Sequence, residues 1–330
     1  MKVSNGKVFN MADPHKVLKH LKDLKRDVIK TDPMSISLKH NIDKEKEKIF
    51  IVVTNGTTRR YPVRKSFLFK LLKWHRLSLS VLPKLSTETI VSIANDFLLN
   101  INSDYVNIKI ENEEALTITS RKYSDIPDFE ILQMCSGYGV ESVSRDDFCM
   151  RIYSDIRHKS EPIPGDECGF GLNVFNSETG FMAFRAVNYI IRYICTNGAT
   201  VRQYNDAKDK IYHYDINKER IFCYLEKSLN EIKNNLHQIE KKIKNSRSPI
   251  TKDNIKFVKA KLYSTLGYSE TNSFLKTIEE NISEEKIINQ NTETKYSLFN
   301  LLTSRAKEFD ILKRAAIEET AGELLMGKEK

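Results

Sequence analysis

The stretch from Lys48 to Thr87 combines the residue types that bind nucleic acid. It contains nine Lys or Arg residues and no Asp or Glu. Basic side chains bind phosphates and release counterions, and aromatic rings stack on unpaired bases. We therefore expect contact with single-stranded nucleic acid through an interleaved set: Arg59, Arg60, Tyr61, Arg64, Lys65, Lys70, Lys73, Trp74 and Arg76. Alternatively, the rings pack inward and the basic groups cover an acidic part of the same fold.

A second candidate set lies further along the chain. Arg185, Tyr189 and Arg192 share one face if residues 181–194, which could begin as a strand, continue as a helix. Such a stripe would add phosphate contacts and stacking. Two arginines on an exposed helix face are also common in proteins that bind no anion.

Cys195 precedes Thr196, Asn197 and Gly198, which raises the question of a catalytic thiol. A nucleophile needs a base, and none of the seven histidines lies in a motif that supplies one. Asn-Gly favours a tight turn, so we interpret Cys195 as part of a turn.

Other enzyme signatures are absent. The sequence contains no phosphate-binding Gly-rich loop, serine elbow or zinc-binding helix motif. Asp146–Asp147 and Asp166–Glu167 are paired acids that would suit Mg²⁺, which leaves a metal-dependent nuclease as a third reading. We expect a non-catalytic protein rather than an enzyme, with no cofactor and no metal.

The net charge of +9 is unevenly distributed along the 330 residues. Residues 1–90 carry 20 Lys+Arg against 8 Asp+Glu, residues 91–190 carry 8 against 16, and residues 191–330 carry 25 against 20. This separation indicates either a polyanionic partner or internal pairing between the basic and acidic segments. No long apolar run or signal peptide is present and the five cysteines form no Cys-x-x-Cys pair, so we expect a cytoplasmic, non-membrane protein with reduced thiols.

The periodicities predict an α+β fold, with a hairpin-rich antiparallel sheet and packed helices. Asn55-Gly56 suggests a type I′ hairpin, and residues 111–114 join a second hairpin. The remaining predicted elements are helices at 14–30, 66–76, 87–99 and 128–135 and strands at 148–153 and 167–175.

The C-terminal region is predicted to be helical. An a/d heptad stripe runs from Lys218 to Lys244, and we favour an antiparallel hairpin with the next helix over an intermolecular coiled coil. Two further helices are predicted at 254–266 and 297–325. We divide the chain into an N-terminal helix and charged linker (1–47), an α+β core domain (48–210) and a helical region that packs on the core or mediates assembly (211–330).

Several segments resemble the phage- and plasmid-borne family called domain of unknown function 932. The central likeness lies in Asn176-Ser-Glu-Thr-Gly180 followed by Arg192-Tyr-Ile-Cys-Thr-Asn-Gly198, and looser matches lie at 119–128, 298–306 and 321–325. Arg121-Lys122 stands where the family more often has Asp-Arg. The family has no settled activity, and the resemblance implies a role in DNA transactions of mobile elements.

We therefore expect a nucleic-acid-binding protein of a phage or other mobile element. Its ligand would be single-stranded DNA and its general character would be that of the annealing proteins, including homo-oligomerisation. The alternative is a structural or interaction component of a phage, connected with the virion, host takeover or defence, that acts through its helical region.

Overall fold

The computed structural model describes residues 5–43, 46–77, 82, 84–156, 158–193, 197–201, 211–214, 216–276 and 294–327. The strands are β1 (Phe9–Ala12), β2 (Arg26–Thr31), β3 (Ile36–Asp43), β4 (Lys46–Asn55), β5 (Thr57–Pro62), β6 (Val106–Glu111), β7 (Glu114–Ser120), β8 (Val140–Arg145), β9 (Met150–Ser154), β10 (His158–Ile163), β11 (Asp166–Asn176), β12 (Arg185–Arg192) and β13 (Asn197–Val201). The helices are α1 (Pro14–Asp23), α2 (Lys65–Trp74), α3 (Thr87–Leu99), α4 (Asp128–Cys135), α5 (Lys218–Asn245), α6 (Lys252–Leu266), α7 (described over residues 268–276), α8 (Lys295–Ala306) and α9 (Ile311–Leu325).

The largest sheet is antiparallel and has the order β1-β8-β9-β11-β12-β13. β10 pairs with the first half of β11, and β9 pairs with the second half. Gly171 lies where these two partners meet. A Cβ atom added there would lie 1.7 Å from the carbonyl oxygen of Ser154, so this crossing requires glycine.

Helices cover both faces of the large sheet. On one face, α1, α4 and the first half of α5 bury side chains against β8, β9, β11 and β12, including Leu172 and Val174 of β11. On the other face, Phe175 and Val187 pack against Ile311 and Ala315 of α9. Apolar residues that alternate along each strand therefore supply both cores.

Two smaller three-stranded antiparallel sheets, β2-β6-β7 and β3-β4-β5, enclose α2 and α3. The apolar face of α2, including Phe67, Leu68 and Leu71, is fully buried in this second core. Because that face points inward, the opposite face of α2 must point away from the core.

The predicted α+β class is confirmed, and the predicted helices at 87–99 and 128–135 coincide with α3 and α4. The predicted helix at 14–30 ends at Asp23, and its last residues form β2. The predicted helix at 297–325 is two helices, because Asp310 caps a new one through the backbone amide of Lys313.

Both predicted hairpins form, but their turns differ from expectation. Gly56 has φ +70° whereas Asn55 has no positive φ, so the first turn is not type I′. The second turn has φ +50° at Asn112 and +64° at Glu113, which is the backbone sign that type I′ requires.

The heptad stripe of α5 packs within the chain. Leu225, Ile232, Ile239 and Ile243 are buried, while Phe222 is exposed. The helix lies against β10, β11 and β12, and Ile232, Ile239 and Ile243 also share one core with Val258 and Leu262 of α6, so the stripe packs on the sheet as well as on the next helix. Within the described ranges, no helix is long and apolar enough to cross a membrane.

Candidate nucleic-acid interface

One wall of a surface cleft is formed by the outward face of α2. Lys70, Lys73 and Trp74 are spaced three and four residues apart, so they project on the same side of the helix. The inward packing of Phe67 and Leu71 fixes this orientation. The indole of Trp74 is 38% exposed although it is a large apolar side chain.

The opposite wall follows the end of β7. Thr119 and Ser120 contribute hydroxyl groups there, and Lys122, Tyr123 and Tyr214 complete the cleft, which has a volume of about 680 Å³. Among the described residues, those that line the cleft include three lysines and three aromatic rings but no carboxylate. We call this cavity the basic cleft.

Lys70 is held at the bottom of the basic cleft by a backbone contact. Its Nζ donates to the carbonyl oxygen of Gly180 at 2.7 Å and lies 5.6 Å from the centre of the Phe181 ring. Burial, together with the neighbouring positive charges of Lys73 and Lys109, lowers the pKa of Lys70 to about 8. An anion at this position would relieve the repulsion between the ammonium groups.

Tyr123 is held in place by Ser177 and His213. Its hydroxyl donates to the carbonyl oxygen of Ser177 at 2.6 Å, and its ring stacks on His213 at a centroid distance of 5.0 Å. Burial, together with the nearby positive charge of Lys109, lowers the pKa of His213 to about 4. The imidazole is therefore uncharged at pH 7 and supports Tyr123 by stacking as a flat, neutral ring.

A second cavity of about 550 Å³ adjoins the first. The two share Trp74, Ser120 and Lys122, so together they form a continuous groove that passes over the indole. The walls of the second cavity come from the loop after α3, including Asn100 and Asn102. We call it the polar cleft.

The other predicted residues around α2 are distributed over different surfaces. Arg59, Arg60, Lys65 and Arg76 are exposed, but none of them lines either cleft. Arg60 lies over the Phe50 ring at 3.7 Å from its centre, and Tyr61 packs against the core beside α2. These residues remain predictions as contacts to nucleic acid.

The prediction that Arg64 contacts nucleic acid is contradicted by its burial. Its side chain is 3% exposed, and its Nη1 donates to Glu111 at 2.8 Å and to Asp147 at 3.1 Å. Arg145 also donates to Glu111, at 3.1 Å, and Arg26 lies 3.6 Å from the same carboxylate. Burial alone would raise the pKa of Glu111, but these three arginines together lower it below its usual value.

These contacts show internal pairing between the basic and acidic segments of the chain. Arg26 and Arg64 belong to the basic first segment, and their partners Glu111, Asp147 and Glu178 belong to the acidic second segment. Part of the basic charge is therefore neutralised inside the fold. Within the described part of the chain, Lys70, Lys73 and Lys122 make no such pair with a carboxylate.

The second predicted set is also buried, and the helical reading of it is wrong. Residues 185–192 form strand β12, so Arg192 points to the face opposite Arg185 and Tyr189. Arg185 donates to Glu319 at 3.2 Å, and Arg192 donates from Nε to both carboxylate oxygens of Asp166, at 3.0 and 2.7 Å. Tyr189 is 1% exposed, so these three residues support the sheet rather than a ligand.

The Asn176–Gly180 segment is likewise a buried connection. Asn176 donates to the carbonyl oxygen of Ile126 at 3.0 Å and to Asp128 at 2.8 Å. Ser177 and Thr179 both donate to the carbonyl oxygen of Phe148. The segment joins β11 to the floor of the basic cleft through Gly180.

The residues weighed for catalysis have structural partners where they are described. Asp146 accepts from the amides of Phe148 and Cys149, and Asp166 is paired with Arg192. Among the described residues, no group of three or more His, Cys, Asp and Glu side chains is placed to hold a metal ion. Cys195 lies outside the described residues.

The sequence reasoning missed the half of the cleft that α2 does not supply. Lys122, Tyr123 and Tyr214 were not among the predicted binding residues. Arg121-Lys122-Tyr123 has the same basic and aromatic composition as α2, and this signal could have drawn attention to the segment. Its position opposite α2 depends on the pairing of β6 with β7 and was not readable from spacing.

Fold and site together define an antiparallel α+β protein with a basic, aromatic surface groove. No protein-family model matches the chain, and neither a curated protein nor a solved structure was found to be similar to it. The resemblance to domain of unknown function 932 therefore stays a prediction that depends on its motifs alone.

Proposed function

We propose that this protein binds single-stranded nucleic acid in the basic cleft and does no chemistry on it. The observation that carries the proposal is the composition of the lining, in which three lysines and three aromatic rings face a common space that holds no described carboxylate. Lysines bind phosphates, and aromatic faces stack on bases in a way that tolerates any sequence.

A single strand fits this arrangement better than a duplex. The rings of Trp74 and Tyr214 are 38% and 56% exposed, and they offer flat surfaces inside a cleft rather than on a protruding ridge. Bases can reach such surfaces only when they are unpaired. The setting in a mobile element, an annealing-like activity and homo-oligomerisation are part of the proposal on the strength of the sequence motifs.

The test is a fluorescence-anisotropy titration with labelled single-stranded DNA, RNA and duplex DNA at low and physiological salt. Lys73→Glu should weaken single-strand binding at least tenfold, because it places a carboxylate in the cleft. Lys241→Glu is the matched control, since this exposed lysine of α5 lines neither cleft and its replacement changes the net charge equally.

Equal weakening by both variants would mean that binding depends on net charge alone, and the site would be wrong. Absence of single-strand binding by the wild-type protein at low salt would contradict the function itself. Circular dichroism of each variant verifies that the fold is retained.

A further inference from the structure

The two clefts differ in chemistry although they share a wall. Among the described residues, the basic cleft presents three ammonium groups and no side-chain amide, whereas the polar cleft presents the amides of Asn100 and Asn102 beside one lysine, Lys122, and the pair Arg121 and Asp104. Amide and hydroxyl groups form directional hydrogen bonds with both donors and acceptors, while ammonium groups mainly attract charge. Of the residues described in the two clefts, only those of the polar cleft offer side-chain amides, which can donate to and accept from the edge of a base at the same time.

The loop that carries these groups is held in place by its own backbone. The amide of Asn100 donates to the carbonyl oxygens of Asp96 and Phe97, and the amide of Ile101 donates to Leu98, each at 3.2 Å. The Nδ2 atom of Asn100 is used as well, since it donates to Asp96 at 2.7 Å. The loop is therefore preorganised and not a loose surface segment.

Asn102 is the residue of this loop whose side-chain amide is free to bind a ligand. Its side chain is exposed, lines the polar cleft and has no hydrogen-bond partner in the described part of the chain. The far wall carries the exposed ion pair between Arg121 and Asp104, with the two side chains 2.9 Å apart. On the remaining side, His75 is stacked on Phe97 at a centroid distance of 4.2 Å.

We infer that the polar cleft is a base-reading subsite, in which a nucleobase stacked on Trp74 presents its edge to Asn102 while the adjoining phosphates lie in the basic cleft. The inference rests on the proposed function and assigns base recognition to the polar cleft and phosphate binding to the basic cleft. Trp74 lines both clefts. Lys70 and Lys73 line only the basic cleft, and Asn100 and Asn102 line only the polar cleft, so the indole lies between the two sets of groups. A hydrogen-bonding pair of this type discriminates between bases by a factor of about 5 to 150.

The experiment compares the dissociation constants of the four DNA homo-oligonucleotides for the wild type, Asn102→Ala and Lys73→Ala. The wild type should prefer its best base over its worst by at least fivefold. Asn102→Ala should bring this ratio close to one, whereas Lys73→Ala should weaken all four ligands by a similar factor and leave the ratio unchanged.

Three outcomes would overturn the inference. If the wild type binds all four oligonucleotides equally, or if Asn102→Ala weakens them equally and preserves the ratio, the base-reading role is wrong while the proposed function stands. If the wild type binds none of them, both fail. Asn107→Ala, a replacement of an amide on strand β6 that lines neither cleft, controls for a general effect of losing an amide.

Discussion

Arg64 Nη1 donates to Glu111 Oε1 at 2.8 Å, and each of the two side chains is 3% exposed. The pair joins the N-terminal end of α2 to the end of β6. It therefore fixes the helix that carries Lys70, Lys73 and Trp74 relative to the hairpin that leads to Lys122 and Tyr123. The ion pair belongs to the scaffold of the cleft and not to its lining.

We predict that Arg64→Ala lowers the free energy of unfolding by about 3–5 kcal/mol, because it leaves the carboxylates of Glu111 and Asp147 buried beside one fewer cation. Urea denaturation measures the change. Arg59→Ala is the control, since Arg59 is exposed and its replacement should change stability by less than about 0.5 kcal/mol. Similar decreases in the free energy of unfolding for both variants would show that the buried ion pairs of Arg64 do not stabilise the fold more than an exposed arginine does.

Binding should weaken above pH 8. The pKa of Lys70 is lowered to about 8 in the free protein, so the amine loses its charge as the pH rises through that value. Affinity for a single strand should then fall by up to about tenfold per pH unit between pH 8 and 10. Lys70→Arg stays charged over this range and should remove most of the fall. A wild-type affinity that is constant to pH 10 would contradict the placement of phosphate beside Lys70.

The salt dependence should report individual lysines. Replacement of Lys73 by alanine removes one phosphate contact, so the slope of log K against log salt should become shallower by about 0.7. Lys241→Ala should leave the slope unchanged. An unaltered slope for Lys73→Ala would place this lysine outside the path of the strand.

Gly171→Ala should be among the most damaging replacements of a glycine. The added Cβ would lie 1.7 Å from the carbonyl oxygen of Ser154. This oxygen belongs to the main chain and cannot rotate away as a side chain could, so we expect the free energy of unfolding to fall by about 3 kcal/mol. At Gly137 no atom lies within 4 Å of the added Cβ, so Gly137→Ala should be nearly neutral. Thermal unfolding of the two variants makes the comparison, and equal melting temperatures would show that the strands can separate at this point.

Local patterns predicted much of the secondary structure. The apolar spacing of residues 87–99 and the short helical pattern of residues 128–135 agree with α3 and α4 because helix formation depends on near neighbours. Strand β12 was not predicted, because its buried polar residues Arg185, Asn188 and Arg192 are spaced three and four apart, as on one face of a helix, although the strand is covered on both faces. Tertiary pairing decided its conformation.

The candidate site was half predictable for the same reason. Lys70, Lys73 and Trp74 share a helix face that their spacing predicts. Arg64 belongs to the same basic run of sequence, but it is buried in an ion pair with Glu111. Its burial depends on Glu111 and Asp147, which are 47 and 83 residues away along the chain. Composition cannot separate a lysine that faces solvent from an arginine that meets a carboxylate.

Trp74 is the only tryptophan in the chain, so its emission reports on the groove directly. The decisive measurement is a titration of the wild-type protein with an unlabelled single strand of about 15 nucleotides, read by tryptophan emission and compared with anisotropy of the labelled strand. We predict that a stacked base quenches the emission and that both signals give the same dissociation constant. Binding that leaves the emission unchanged would place the strand elsewhere on the protein, and no binding by either signal would contradict the proposed function.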